Sequence, residues 1–206
     1  MTIGIPALPC GNFLSVVKMV EKAGGSAEIV QSPERLHEYS KVILAGVGAF
    51  DHGMSSIRDA GWEPVLNQAA LERKVPILGI CLGMQLLCNS SEEGVLPGLR
   101  WIDAEVKRFR FPEGTPLKIP HMGWNTVKAA KPNPLVPSDQ GEQRFYFVHS
   151  FHAVCKHAED VLATTFHGYE VTAAISRGNV YGVQFHPEKS HRFGLALMKR
   201  FVELPC

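Results

Sequence analysis

The chain has 206 residues, 45% hydrophobic and 20% charged, which suits one substantial domain with its own core and is short for two. Lys and Arg number 21 against 20 Asp and Glu, so no strong field points to nucleic acid or a membrane surface. The five cysteines (Cys10, Cys81, Cys88, Cys155, Cys206) are odd in number and form no CxxC pair, suggesting neither a disulfide framework nor a zinc ribbon. No signal peptide precedes the first strand and no apolar run approaches the roughly 18 residues of a membrane span. A reducing cytoplasm is the expected compartment.

In chain order, residues 2–5 read as a short apolar strand, followed by the turn-like run 6–11. Asn12 can cap a helix whose apolar positions Leu14, Val17, Val20 and Ala23 recur at helical spacing, and Gly24-Gly25 ends it. Residues 27–30 and 41–44 are the next two strands, with a short helix or loop at 33–38 between them. Helices are expected over 54–59 and 62–73, then a strand at 77–80. This alternation argues for βαβ units and a mainly parallel sheet with helices on both faces. In the second half, short β-rich segments at 104–109, 124–127, 144–147, 153–154, 161–166, 173–176 and 180–184 suggest antiparallel strands extending the sheet. The Pro-rich stretch 131–137 reads as a surface loop, and a helix over 193–202 closes the chain. The fold class is α/β, and the whole chain, 1–206, reads as one domain.

Three turns at expected strand C-termini, where such sheets carry their sites, stand out: Gly11-Asn12, Gly46-Val47-Gly48 and Gly79-Ile80-Cys81-Leu82-Gly83. In the last, two glycines flank a cysteine by two residues each. They permit a tight strand-to-helix turn without a Cβ clash, with a helix expected from Met84 and the thiol at its N-terminus, where unpaired N–H groups favour a thiolate. On the local pattern alone Cys81 could equally be a buried small hydrophobe. Its strongest partner is Gln184-Phe185-His186-Pro187-Glu188, where a strand ends and proline fixes the turn after the histidine. A neutral imidazole can take a thiol proton and return it to a leaving amine, while a carboxylate on its other nitrogen fixes the tautomer.

With Cys81, His186 and Glu188 in that order, the chain resembles the class I (triad) glutamine amidotransferases. The resemblance implies Cys81 as nucleophile, His186 as general base and Glu188 as its orienting acid. It further implies an oxyanion hole from the backbone of Gly46, Val47, Gly48 and Leu82. Glutamine would be held by Gln85 and Glu93, with His149 and Ser150 beside it. The runs Pro120-His121-Met122-Gly123-Trp124-Asn125, Tyr146-Phe147-Val148-His149-Ser150 and Gln184 to Ser190 look like the glutaminase subunit of imidazole glycerol phosphate synthase. That subfamily hydrolyses L-glutamine and passes ammonia to a separate (βα)₈-barrel synthase as a heterodimer, in histidine biosynthesis. By that resemblance Asn12, His121, Trp124, Tyr146 and Lys189 lie near the docking face and ammonia exit, and no cofactor or metal is implied.

Two departures stand out, one bearing on the partner and the other, Ala45, removing a φ restraint on the oxyanion loop while leaving its N–H groups. The family usually has Asp-Tyr-Gly before Gly-Asn, where this chain has Pro6-Ala7-Leu8-Pro9-Cys10-Gly11, and Pro before Gly-Val-Gly, where it has Ala45. The first, with the run Trp101 to Arg108, resembles paralogues that supply ammonia for amination of bacterial surface-polysaccharide sugars. A cysteine hydrolase of the same fold and a non-catalytic binding subunit are the other readings. Blander assignments stand beside several residues. His121 reads as a loop histidine with a satisfied hydrogen bond, and Cys88 as core on the face Cys81 shares. The cluster Lys107, Arg108, Arg110 reads as a solvated strand edge. His149 and His152 lack the partners a metal site needs, and Gly46-Val47-Gly48 lacks a third glycine or a Walker lysine for a nucleotide.

Overall fold

The computed structural model describes residues 2–9 and 13–205; Asn12, and with it the predicted cap, lies outside them. The first half forms β1 (Thr2–Pro6), α1 (Phe13–Lys22), β2 (Ser26–Val30), β3 (Lys41–Gly46), α2 (Phe50–Asp59), α3 (Trp62–Asn67), β4 (Ile77–Cys81) and α4 (Leu82–Leu86). The strands β5 (Ser90–Ser91), β6 (Ala104–Arg108), β7 (His121–Ala129), β8 (Gln143–His149) and β9 (Phe151–Cys155) follow. After them come β10 (Val161–His167), β11 (Tyr169–Arg177), β12 (Val180–Val183) and the closing helix α5 (His191–Glu203).

Nine strands make one sheet in the order β2-β1-β3-β4-β12-β11-β10-β7-β8, and β5-β6-β9 form a smaller one. From β2 to β12 all pairings are parallel; from β12 to β8 all are antiparallel. The expected α/β class, a parallel sheet with an antiparallel extension, is the observed one. Helices cover both faces because the central strands are apolar on both. Along β3, Val42 and Leu44 join the core that includes α2 and α3, while Ile43 and Ala45 join the core under α1 and α5. Among the described residues no helix is long and apolar enough to cross a membrane.

Several elements differ from their expected form. On α1 the buried face is Val16 and Val20, while Leu14 is 67% exposed. Of the expected stripe only Leu14 turns outward; Val17 packs partly buried against the core under α1 and α5, and Val20 and Ala23 are buried in it. The helix at 62–73 changes at residue 68 into a π-helical turn, Gln68–Glu72. The 131–137 stretch is a plug rather than a surface loop. Leu135 and Val136 are fully buried, and Asn133 folds the backbone inward by accepting their N–H groups at 3.1 and 2.6 Å. Cys88 is buried but lies beyond the end of α4, in the core opposite the one that contains Cys81.

The turn after β4 is tighter than the expected one. Helix α4 begins at Leu82, immediately after Cys81, so the chain crosses β3 at very short range. A Cβ on Gly83 would lie 1.7 Å from the Leu44 carbonyl oxygen, and one on Gly79 would lie 2.7 Å from the backbone of Gly83. Neither backbone can yield without breaking the central sheet. Gly83→Ala is therefore expected to cost at least about 3 kcal/mol or abolish soluble folding. Gly46→Ala, whose Cβ would meet only the Leu82 side chain at 3.4 Å, should stay within about 1 kcal/mol of the parent. Urea denaturation of the two variants checks the contrast.

Candidate active site

Strand register brings the distant motifs together. In the parallel ladder Gly46 pairs with Cys81, and Val183 of β12 pairs with Ile80 of β4. The chain segments leaving β3, β4 and β12 therefore emerge side by side at the C-terminal edge of the sheet, where open α/β sheets place their sites. Cys81 sits there with φ 54° and ψ −109°, a backbone conformation that non-glycine residues rarely hold. The strain aims its side chain into a cleft of about 340 Å³. The thiol is 8% exposed, so it opens into this cleft and not onto the outer surface.

His186 lies across the cleft, its ring fixed from behind. Its Nδ1 is 2.8 Å from Glu188 Oε1, and both side chains are almost completely buried. Two further contacts hold the turn that carries them. Tyr146 of β8 accepts the His186 backbone N–H at 2.9 Å. The fully buried Ser190 hydroxyl donates to the His186 carbonyl at 2.6 Å and accepts the Tyr146 N–H at 3.0 Å. Burial alone would depress the His186 pKa, but the neighbouring Cys81 sulfur and the Glu188 carboxylate outweigh it and raise it to about 9. Nε2 of His186 has no hydrogen-bond partner among the described residues, leaving it available on the Cys81 side.

Most of the residues expected around the substrate line this same cleft: Val47, Gly48, Leu82, Gln85, Glu93, His149, Ser150 and Lys189. Gly46 stands behind them, lining a small cavity with His186 and Glu188. Gly48 has φ +104°, a conformation that requires glycine, and it orients the peptide groups that follow β3. The Glu93 carboxylate accepts the Phe50 N–H at the start of α2, at 2.9 Å. It is held in place by Asp51, which accepts the Val95 and Leu96 N–H groups. Gln85 donates from Nε2 to the Phe151 carbonyl at 3.2 Å and to Gln184 Oε1 at 3.0 Å. With both amide hydrogens used, it can offer a ligand only an acceptor oxygen.

His121, Trp124 and Tyr146 lie outside the cleft lining, and Asn12 falls outside the described residues. His121 is not a loop residue; it opens β7, is 4% exposed and stacks on Phe147 and His167. Its Nδ1 is 3.1 Å from His149 Nε2. Trp124 pairs with Tyr146 across β7–β8 and stacks at 5.4 Å on His191, forming a half-exposed aromatic patch outside Lys189. The basic cluster is engaged locally: Lys107 with Glu105, Arg110 with Glu92, and Arg108 over the Phe151 ring. Sequence reasoning assigned no role to Gln184, Ser190 or the Phe151 carbonyl. Gln184 and Ser190 bracket the His186 turn and were visible as polar residues in an otherwise apolar strand end. A backbone carbonyl has no sequence signal.

The model of the class-I glutamine amidotransferase family matches residues 10–204. The chain belongs to the class-I glutamine amidotransferases. Among curated relatives, imidazole glycerol phosphate synthase subunit HisH 2 of Methanococcus maripaludis is 47% identical, over 94% of this chain and 95% of that protein. The protein of the same name from Pseudomonas aeruginosa is 45% identical over the same shares, and subunit HisH of Leptospira borgpetersenii is 40% identical over 98% and 100%. Among solved structures, PurLQS from Thermotoga maritima superposes with a TM-score of 0.72 at 19% identity, covering 98% of this chain and 94% of that one. A glutamine amidotransferase from the same organism gives 0.61 at 23%, covering 98% and 81%. At those identities the solved structures speak for the fold alone.

In this amidotransferase the cleft wall at β8 is built from neutral imidazoles. His149 donates from Nδ1 to the Phe151 carbonyl, so its Nε2 must accept from His121 Nδ1–H, and His121 Nε2 accepts from Asn125. Burial, with the neighbouring histidines adding to it, lowers His121 to about 4 and His149 to about 3, against an ordinary 6.5. Between the folded and unfolded values the unfolded chain binds more protons at these two rings, so their contribution to stability is full above about pH 6.5 and is lost as the pH drops toward 4. The melting temperature should therefore fall over that window. The slope should be smaller in His121→Gln, which keeps a donor toward His149 without a titrating ring. Calorimetry of both proteins as a function of pH tests it.

Proposed function

We propose that the chain is the glutaminase subunit of imidazole glycerol phosphate synthase, a single domain that hydrolyses L-glutamine and hands ammonia to a separate (βα)₈-barrel synthase. The observation that carries the reading is the His186–Glu188 pair, 2.8 Å apart and buried, set beside the strained Cys81 in a cleft that also holds Gln85 and Glu93. The chemistry follows from the arrangement. The Cys81 sulfur, its proton taken by His186, attacks the side-chain carbonyl carbon of glutamine. The charge that develops on oxygen faces backbone N–H groups at Leu82, the first residue of α4, and in the Gly46–Gly48 loop. His186, kept protonated at neutral pH by its raised pKa, gives its proton to the departing nitrogen, and ammonia leaves. Water, activated by the now neutral ring, hydrolyses the glutamyl thioester and restores the thiol. Glu188 stays ionised and fixes the tautomer throughout.

Substrate selection follows from the polar inventory. The Glu93 carboxylate suits the substrate ammonium group, and the Gln85 acceptor oxygen suits an amide N–H. An internal peptide bond carries no free ammonium for Glu93 to hold, which sets this reading apart from that of an endopeptidase. Ammonia would exit past His149 and Lys189 toward the patch of Trp124, Tyr146 and His191. An aromatic pair presented in this way suits an interface anchor. The Pro6 to Gly11 departure favours a second acceptor, a barrel synthase that aminates a surface sugar, and reconstitution separates the two.

Expected outcomes are specific. Cys81→Ala abolishes glutamate release yet leaves the complex able to use free ammonia, and Glu188→Gln lowers kcat by about 10²–10⁴ with little change in KM. Glutamine-dependent product formed with the histidine-pathway barrel, and not with the surface-sugar barrel, establishes the acceptor. The reverse pattern reassigns it. Glutamate release that is undetectable with either barrel refutes the glutaminase reading.

A further inference from the structure

Gln184 is completely buried, and none of the chemistry above uses it. A buried primary amide must place two donor hydrogens and an acceptor, so its neighbours dictate which way round it sits. The order can be read from one fixed end. The Phe151 carbonyl oxygen can only accept, so the Gln85 atom 3.2 Å from it is the nitrogen. That same nitrogen reaches Gln184 at 3.0 Å, so the Gln184 atom there is Oε1. The remaining Gln184 atom is then Nε2, and it faces Cys81 Sγ at 3.8 Å, within the range of an N–H···S hydrogen bond. Reversing Gln85 would set acceptor against acceptor at both of its partners, and reversing Gln184 would set two donors together and place an oxygen lone pair on the sulfur.

We infer that Gln184 is a dedicated hydrogen-bond donor to the nucleophilic sulfur, held in that sense by Gln85 and the Phe151 carbonyl. The inference rests on the reading of Cys81 as the glutaminase nucleophile and deepens it. A donor of this kind strengthens as its acceptor gains charge. It therefore favours the thiolate that attacks glutamine, and favours it again when water adds to the glutamyl thioester and the C–S bond breaks with its electron pair returning to sulfur. On the sheet edge the donor comes from the strand beside Cys81, whereas Glu188 acts through His186. Gln85 acquires two duties, one toward glutamine through its oxygen and one toward the sulfur through Gln184.

The test is alkylation of Cys81 by iodoacetamide, followed by mass spectrometry of its peptide over a range of pH. Gln184→Met keeps the volume without the donor, and Gln184→Glu keeps the shape but turns an oxygen toward the sulfur. Cys81 alkylation at neutral pH is expected to fall about tenfold or more in Gln184→Met, and further in Gln184→Glu, with both profiles displaced to higher pH. In glutamine hydrolysis the loss should appear in kcat with KM little changed. Folded variants whose alkylation profiles match the parent overturn the inference, leaving Gln184 as a tie between α4 and the end of β12. Gln184→Glu, being isosteric, carries the test if Gln184→Met is unstable. If parental Cys81 reacts no faster than a free peptide thiol, the glutaminase reading falls and this inference falls with it.

Discussion

The chain leaving Cys81 passes so close to β3 that a Cβ at Gly83 would sit 1.7 Å from the Leu44 carbonyl oxygen. That approach lets α4 begin at the residue after Cys81, with no intervening loop, and it forces Cys81 into a backbone conformation with φ 54°. The site inherits its geometry from this crossing. The Leu82 N–H is free because it opens the helix, the thiol points into the cleft because the strained backbone allows little else, and the β3 end at Gly46 lies beside it because the two strands pair there. A backbone strained in this way persists only where the surroundings over-determine it. Here the constraint is a glycine packed against the backbone of the central sheet.

The second organising feature is the return of the sheet on itself. β8 is the ninth strand in order, far from β4 within the sheet, yet its Tyr146 backbone is bonded on both sides by the turn that carries His186. The antiparallel half therefore supplies the opposite wall of the cleft while the parallel half supplies Cys81. The wall is polar and almost fully buried, and its groups are matched donor to acceptor from Asn125 through His121 and His149 to Phe151, where Gln85 joins from the other side. Buried polar groups matched in this way rigidify a site, because any member reversed leaves two unsatisfied partners. Keeping the imidazoles neutral is part of the arrangement, since a second proton would remove the acceptor each neighbour needs.

Much of the fold was legible in the sequence, and for identifiable reasons. The continuous apolar runs of β3 and β4 and the glycine punctuation around them placed the parallel strands. The short β-rich segments after residue 100 announced the antiparallel extension. The errors lie where one residue changes its meaning with packing. Leu14 faces outward because the buried face of α1 begins at Val16, and the stretch 131–137 looked exposed because its prolines hide an Asn133 turn that buries Leu135 and Val136. Cys88 was placed on the face of Cys81 by helical spacing, but α4 ends at Leu86 and the spacing no longer applies.

The sequence by itself determined the identities and order of the groups that can react: a cysteine between two glycines, then a histidine and a glutamate fixed in one short turn by proline. Covalent proximity puts His186 and Glu188 within reach of each other, so their pairing needs little from the rest of the molecule. Tertiary structure alone decided what lies between residues distant in the chain. It set the register that brings Gly46, Cys81 and the end of β12 to one edge, the burial that lowers His121 and His149, the Cys81 and Glu188 contacts that raise His186 against its burial, and the direction of the amides at Gln85 and Gln184. Those properties depend on desolvation and on which acceptor happens to be a backbone carbonyl, and neither is written in any local run of residues.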